Sequence, residues 1–266
     1  MDKKNTFRGL GPKETELVAR LTYEKKTIVS VEEIDSFMPP GYKYRNQFIY
    51  NLKQKKILTP IKRGFYVFTP IETVQSGVRI NELLIPPVFF PRKNYYIGYS
   101  TMFNYHGFTE QLFQTVYVLS TSLSEERIVC GVSYKFLKVS NNRMYGIETI
   151  SVQGCDVTVS SKERTLIDLI YFNKPVGGIV AAVGILKKII EQKNCNMNKL
   201  IEFAVRFPNV TVRKRIGVVL ENLGISKAAL RPLSKSVENT AISSLTGSRK
   251  GTLNKTWRVI VDDTQK

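Results

Sequence analysis

Between Thr27 and Pro70 the chain reads TIVSVEEIDSFMPPGYKYRNQFIYNLKQKKILTPIKRGFYVFTP, and the period of its apolar positions changes along the way. Val31, Ile34 and Phe37 recur at helical spacing behind Ser30, a natural N-cap, until Pro39 and Pro40 stop the helix. A second helix is predicted from about Tyr42 to Lys55, with Phe48, Ile49 and Leu52 on one stripe. Lys43, Asn46, Gln47, Tyr50 and Gln54 fall on its opposite face. Strand character follows: Ile57, Leu58 and Ile61 lead to a Lys62-Arg63-Gly64 tip, and Phe65, Tyr66, Val67 and Phe68 return from it. Two helices joined by a tight Pro-Pro-Gly turn, then a hairpin with a cationic tip, make the plan of a winged helix-turn-helix. A helical pair and hairpin serving only as core is the plainer alternative. The order of elements and the basic tip agree with each other and favour the first reading.

Upstream, residues 1–12 are polar and expected to fray. The segment PKETELVARLTYEKK then predicts a supporting helix, with Pro12 in its first turn and Leu17, Val18 and Leu21 inward. Arg45 falls on the stripe of Phe48 and Ile49, so it is expected to snorkel from the core's edge toward phosphate. Downstream, 71–91 reads as a connector, with a short helix or strand at Ile80–Leu84 before Pro86, Pro87 and Pro91. Ser100 is a candidate cap for a helix through Tyr105 that Gly107 ends, and 114–121 alternates as a strand. RIVCGVSYKFLKV, GIETISV and CDVTVS predict a small antiparallel or mixed sheet. Ser160 and Glu163 have capping-box spacing ahead of the helix SKERTLIDLI, and helical segments dominate after Pro175. Trp257, in TWRVIV, should anchor a last strand. The expected fold class is α+β: a winged module over 1–75, then a mixed α/β C-terminal domain over 76–266. Within that domain 76–174 holds the sheet and 175–266 is mainly helical and basic.

Charge sharpens this picture. The formal net charge is +18 over 266 residues, unevenly spread. Residues 1–70 carry 14 Lys and Arg against 7 Asp and Glu, 71–179 carry 10 against 9, and 180–266 carry 16 against 6. Two basic ends around a neutral middle favour a polyanionic partner, with nucleic acid the leading candidate. Asn46 and Gln47 can pair bidentately with adenine, so Lys43, Asn46, Gln47 and Tyr50 are the candidate major-groove residues. Arg45, Lys62 and Arg63 are the candidate phosphate contacts. Further DNA contacts are expected from Lys187, Lys188, Arg213, Lys214 and Arg215 on the outward faces of the distal helices.

Other chemistry is sparsely represented. No apolar run reaches the length of a membrane span, and no signal-peptide pattern follows Met1, so a cytoplasmic protein without membrane partners is expected. Three scattered cysteines suit neither a disulfide framework nor a zinc cluster. His106 is the single histidine, and a structural role is the simpler reading of a Tyr-His-Gly helix end. Glu163, Arg164 and Asp168 are explained by a cap and a salt-bridged helix face. Glu191-Gln192-Lys193 has the spacing of one nuclease motif but lacks the preceding Pro-Asp. No nucleophile elbow of the G-x-S-x-G kind, P-loop or paired-carboxylate metal site is present, so neither enzymatic activity nor a cofactor is expected.

Four segments in order, LTPIKRGFYVFTP, YYIGYSTMFNYHGFTEQ, VTVSSKERTLIDLI and TWRVIV, resemble the AbiEi family of antitoxins from bacterial toxin–antitoxin and phage-abortive systems. The resemblance spans nearly the whole chain and thins after Pro175. It implies a transcriptional autorepressor whose N-terminal module binds inverted repeats in double-stranded operator DNA upstream of its own operon. It also implies an antitoxin whose C-terminal domain counteracts a co-encoded nucleotidyltransferase-like toxin, directly or indirectly. A palindromic site would take either a DNA-induced dimer or adjacent monomers. The alternative is an RNA-binding protein, for which YKYRNQFIY and RKNYYIGY offer stacking aromatics.

Overall fold

Glu14 folds back to accept the Gly11 N–H at 2.8 Å and so fixes the start of α1 (Pro12–Tyr23), whose buried stripe is Leu17, Val18 and Leu21. The computed structural model describes residues 9–39, 43–74, 80–248 and 250–261. A three-residue strand, β1 (Ile28–Ser30), leads straight into α2 (Val31–Ser36). Ser30 Oγ accepts the Glu33 N–H at 3.1 Å while Glu33 returns a carboxylate oxygen to the Ser30 N–H at 2.8 Å, a reciprocal cap. Pro40, Gly41 and Tyr42, which hold most of the expected inter-helix turn, lie outside the described residues, as do residues 1–8. Helix α3 (Arg45–Gln54) buries Phe48, Ile49 and Leu52. β2 (Leu58–Lys62) and β3 (Phe65–Phe68) form a hairpin about Arg63-Gly64, where Gly64 takes the left-handed φ of +83° that the tight turn needs. β1 adds antiparallel to β3, giving the order β1-β3-β2. One core joins α1, α2, α3 and this sheet through Leu17, Leu21, Val29, Ile34, Leu52 and Phe68.

After α4 (Ile71–Val74) and a 3-10 turn at Glu82–Leu84, α5 (Ile85–Phe89) follows. The chain divides into two compact units: Met1–Val88 with Ile128–Val132, and Phe89–Arg127 with Ser133–Lys266. Lys62 Nζ donates to the Val88 carbonyl at 2.5 Å and so fastens this stretch, beyond the expected boundary at 75, to the hairpin.

The larger unit is organised on β4 (Tyr95–Gly98), all four residues of which are buried. Next come α6 (Ser100–Tyr105), β5 (Thr115–Ser120), β6 (Glu125–Val129), β7 (Val132–Lys138), β8 (Ile147–Val152) and β9 (Cys155–Ser160). These strands form one mixed sheet in the order β6-β7-β5-β4-β9-β8, with β4 antiparallel to β5 and parallel to β9. Helices α7 (Lys162–Tyr171), α8 (Ile179–Glu191), α9 (Met197–Arg206), α10 (Val210–Asn222) and α11 (Lys227–Lys235) follow. They share a core of Leu166, Ile170, Leu186, Leu200, Ile216 and Leu233. The strands β10 (Ser243–Ser244), β11 (Thr252–Asn254) and β12 (Val259–Val261) close the chain in the order β10-β12-β11. The fold is therefore mixed α+β with several sheets. Among the described residues, no helix is long and apolar enough to cross a membrane.

Two caps differ from expectation. Ser161, not Ser160, caps α7 by accepting the Arg164 N–H at 3.3 Å. Glu163 instead accepts the Asn196 N–H at 2.8 Å, and Ser160 Oγ pairs with Thr165 Oγ1 at 2.7 Å. Ser100 is the first residue of α6, and its N-cap position is held by Tyr99.

Trp257 is fully buried in the turn that feeds β12. Its indole N–H donates to Glu221 Oε2 at 3.1 Å, and its backbone N–H donates to Asn254 Oδ1 at 3.1 Å. Its ring occupies the space above Gly217, where an added Cβ would lie 2.2 Å from ring carbons. Gly217→Ala should therefore cost about 1–3 kcal/mol through overpacking. A lowered urea midpoint, followed by emission of this single tryptophan, checks it.

Candidate nucleic-acid interface

The buried stripe of α3 determines what its other side offers. With Phe48, Ile49 and Leu52 turned into the core, Lys43, Tyr44, Asn46, Gln47, Tyr50 and Lys53 are exposed along and just before the helix. Tyr44 is 68% exposed and Tyr50 is 52% exposed, far from the usual burial of aromatic rings. Gln47 Nε2 donates to Asn51 Oδ1, one turn on, at 2.9 Å. A groove of about 580 Å³ runs beside this pair, bounded by Lys13 at the start of α1 and by Tyr44, Gln47 and Asn51. The buried Glu14 carboxylate lines it and is ion-paired with Lys55. Four of the predicted base-reading residues thus share one open surface, and Asn51 joins them. Its signal in the sequence was an amide one turn after another amide.

The three predicted phosphate contacts separate. Arg63 is exposed in the hairpin turn. Lys62 is half-buried: its ammonium bonds the Val88 carbonyl and lies 4.9 Å from the centre of the Phe65 ring, so it does not project from the tip as expected. Arg45 Nη1 pairs with Asp35 Oδ2 at 2.9 Å and ties α3 to α2 instead of snorkelling past the core. That pair is solvent-exposed, where such bridges contribute little and a phosphate can compete for the guanidinium.

Of the distal cations, Lys188 is exposed and Lys187 half-buried on α8. Arg213, Lys214 and Arg215 do not form the outward face predicted for them. Arg213 Nη1 donates to the Ser236 carbonyl at 2.9 Å, Lys214 Nζ to the Ala241 carbonyl, and Arg215 Nε to the Ser244 carbonyl at 3.4 Å. Lys214 is 1% exposed, and its pKa is pushed down by burial and then by Arg258. Burial also lowers that of Arg215. These side chains satisfy carbonyls between the end of α11 and β10.

A second polar cluster lies inside the larger unit. Arg164 and Asp168, expected to form a salt-bridged helix face, do pair at 3.2 Å, and both are fully buried. Arg164 donates to the carbonyls of Arg143 (2.8 Å) and Tyr145 (3.1 Å), to the Tyr96 hydroxyl (2.9 Å) and to Asp168 Oδ1 (3.2 Å). Arg143 donates to the Tyr99 hydroxyl at 2.9 Å. Burial and the Asp168 charge push the Tyr96 and Tyr99 phenols well above their ordinary range, and burial pushes Tyr145 up to about 12. Tyr99 occupies φ +54°, ψ −140° at the bend from β4 to α6, a conformation costing on the order of 1–3 kcal/mol. Its ring stacks on Phe172 at 4.5 Å. The Tyr99 phenol is thus stacked and 3% exposed, and the cluster ties β4, the stretch before β8 and α7 together.

His106 donates its Nε2 proton to the Ser160 carbonyl at 3.0 Å, consistent with a structural role. It borders a hollow of about 450 Å³ where Lys162 bonds Asn194 Oδ1 at 2.8 Å and Glu163 bonds the Asn196 N–H. Among the described residues, no group of three His, Cys, Asp or Glu side chains could hold a metal ion.

Two expected outcomes follow from these buried groups. Asp168→Asn leaves two guanidinium groups without their carboxylate and should cost about 3–5 kcal/mol, read by urea unfolding. Burial pushes the His106 imidazole below its ordinary value, so below roughly pH 6.5 the unfolded chain takes a proton that the folded chain refuses. Its contribution to stability is full above that pH and declines as pH falls toward the folded pKa. His106→Gln should flatten the dependence of the urea midpoint on pH below about 6.5.

No protein-family model matches the chain, and no curated protein sequence matches it. Among solved structures, the fold is similar to the crystal structure of the Rv2827c protein from Mycobacterium tuberculosis, with a TM-score of 0.65 at 10% identity, over 96% of this chain and 92% of that one.

Proposed function

We propose that the first unit is a winged helix-turn-helix that reads double-stranded DNA through α3, and that the chain acts in the cytoplasm as an autorepressor and antitoxin of the AbiEi kind. The observation that carries the DNA reading is the exposed α3 face, with Lys43, Asn46, Gln47 and Tyr50 opposite the buried Phe48, Ile49 and Leu52. The element order is the one such a module requires: α2, α3, then a hairpin whose returning strand pairs with β1. In this reading α3 enters the major groove, where Asn46 and Gln47 meet base edges and Tyr50 adds an apolar contact. Arg63 holds a phosphate from the hairpin tip, with Lys53 a further exposed cation of the same unit, while Lys188 is an exposed cation of the larger unit. Arg45 contributes only by exchanging Asp35 for phosphate, and Lys62, Arg213, Lys214 and Arg215 serve the protein's own backbone.

The antitoxin role rests on the sequence resemblance. Its partner is a nucleotidyltransferase-like toxin opposed by the larger unit, directly or indirectly. The protein meets inverted repeats either as a dimer formed on DNA or as adjacent monomers.

RNA binding is the second reading, favoured by the exposure of Tyr44 and Tyr50, since solvent-exposed aromatic rings stack on unpaired bases. The other aromatic run does not serve it, because Tyr95 and Tyr96 are buried in β4.

Fluorescence-anisotropy titration against duplex DNA from upstream of the gene, scrambled duplex and single-stranded RNA, at two salt concentrations, separates these readings. A preference for upstream DNA that persists at higher salt is expected; equal affinity for both duplexes, or a preference for RNA, removes the repressor reading. Gln47→Ala should cost about 1–3 kcal/mol on the upstream duplex and relax one base preference. Arg63→Ala should weaken both duplexes alike and reduce the salt slope by about 0.9.

A further inference from the structure

Gln47 does not stand alone on α3. Its Nε2 donates to Asn51 Oδ1 at 2.9 Å, and Asn51 is half-buried on the flank of the helix nearer the groove at the start of α1. A primary amide has two N–H donors and one carbonyl, and it can rotate to exchange them. The bond to Asn51 uses one N–H and fixes which end of the Gln47 amide points along the helix. The Gln47 carbonyl and its second N–H remain free, side by side and in a known order. Adenine offers that complement in the major groove, an N6–H donor beside the N7 acceptor, whereas guanine offers two acceptors. A freely rotating glutamine amide would pay an ordering cost for either arrangement.

Resting on the DNA-reading role of α3, we infer that Asn51 is a positioning residue that orients Gln47 and makes the two amides one adenine-selective unit. Asn51 lies about 40° further round the helix from Gln47, away from the centre of the exposed face, so it sits behind the reading side chain rather than at the base edge. A bond serving only the helix would stabilise α3 slightly and leave base preference untouched.

The test uses the full-length protein and a duplex panel in which each base of the upstream site is replaced in turn. The position whose preference relaxes in Gln47→Ala defines the base that Gln47 reads, and the inference requires that base to be adenine. Asn51→Ala should lower the preference for adenine there about fivefold, and add nothing further in the Gln47→Ala background. Asn51→Asp keeps an acceptor for the Gln47 N–H, so it should retain the preference while weakening every duplex alike through its negative charge. Thermal unfolding confirms that each variant is folded at the assay temperature, and the ratio between duplexes is insensitive to the active fraction. An Asn51→Ala preference equal to that of the unsubstituted protein, or equal losses with and without Gln47, would overturn the coupling while leaving the DNA-reading role standing. If the unsubstituted protein binds upstream and scrambled duplex equally, that role fails and this inference fails with it.

Discussion

One guanidinium without access to water governs the larger unit. Arg164 joins three segments: β4 through Tyr96, the stretch before β8 through the carbonyls of Arg143 and Tyr145, and its own helix through Asp168. A buried cation is tolerable only if nearly every donor is met, so these partners specify one another's positions as much as they stabilise the fold. The same constraint accounts for the bend at Tyr99. Its backbone strain is held by a hydroxyl bound to Arg143, whose carbonyl Arg164 engages, and by a ring stacked on Phe172.

The smaller unit solves a different problem. Its core is a conventional apolar one, with Glu14 and Thr69 the buried polar exceptions. Because α3 is ten residues long and buries three of them, most of its length is free to present side chains. α3 carries no acidic residue, and three carboxylates of the same unit are paired: Asp35 with Arg45, Glu14 with Lys55 and Glu33 with Lys26. What remains outward is neutral amide, phenol and cation, the mixture that a base edge flanked by phosphates accommodates.

Much of this was legible in the sequence where periodicity is a sufficient guide. The α3 stripe, the hairpin about Arg63-Gly64 and the Ser30 cap follow from spacing and turn chemistry alone. β1 did not, because three residues carry no measurable period and its strand character comes from pairing with β3. Arg164 and Asp168 were misplaced because α7 is buried on nearly all sides, so a charged residue on it no longer marks a wet face. The error at Arg213, Lys214 and Arg215 had a signal available. Three consecutive helical residues sweep about 200°, so they cannot all share one outward face. Lys62 was lost for a longer-range reason, since its acceptor at Val88 lies 26 residues away.

Net charge and charge in use are therefore distinct properties of this chain. Hydrogen-bonding a guanidinium to a carbonyl positions it without neutralising it, so Arg213 and Arg215 still add to the field of a +18 protein. That field concentrates any polyanion around the molecule and raises encounter rates at low salt, whichever side chains finally touch it. It carries no sequence information. In the proposed function, discrimination has to come from uncharged groups held in fixed orientation, and on the α3 face those are the amides of Asn46, Gln47 and Asn51. In that reading the cations would bring DNA to the protein, while the amides would decide where along it the protein stays.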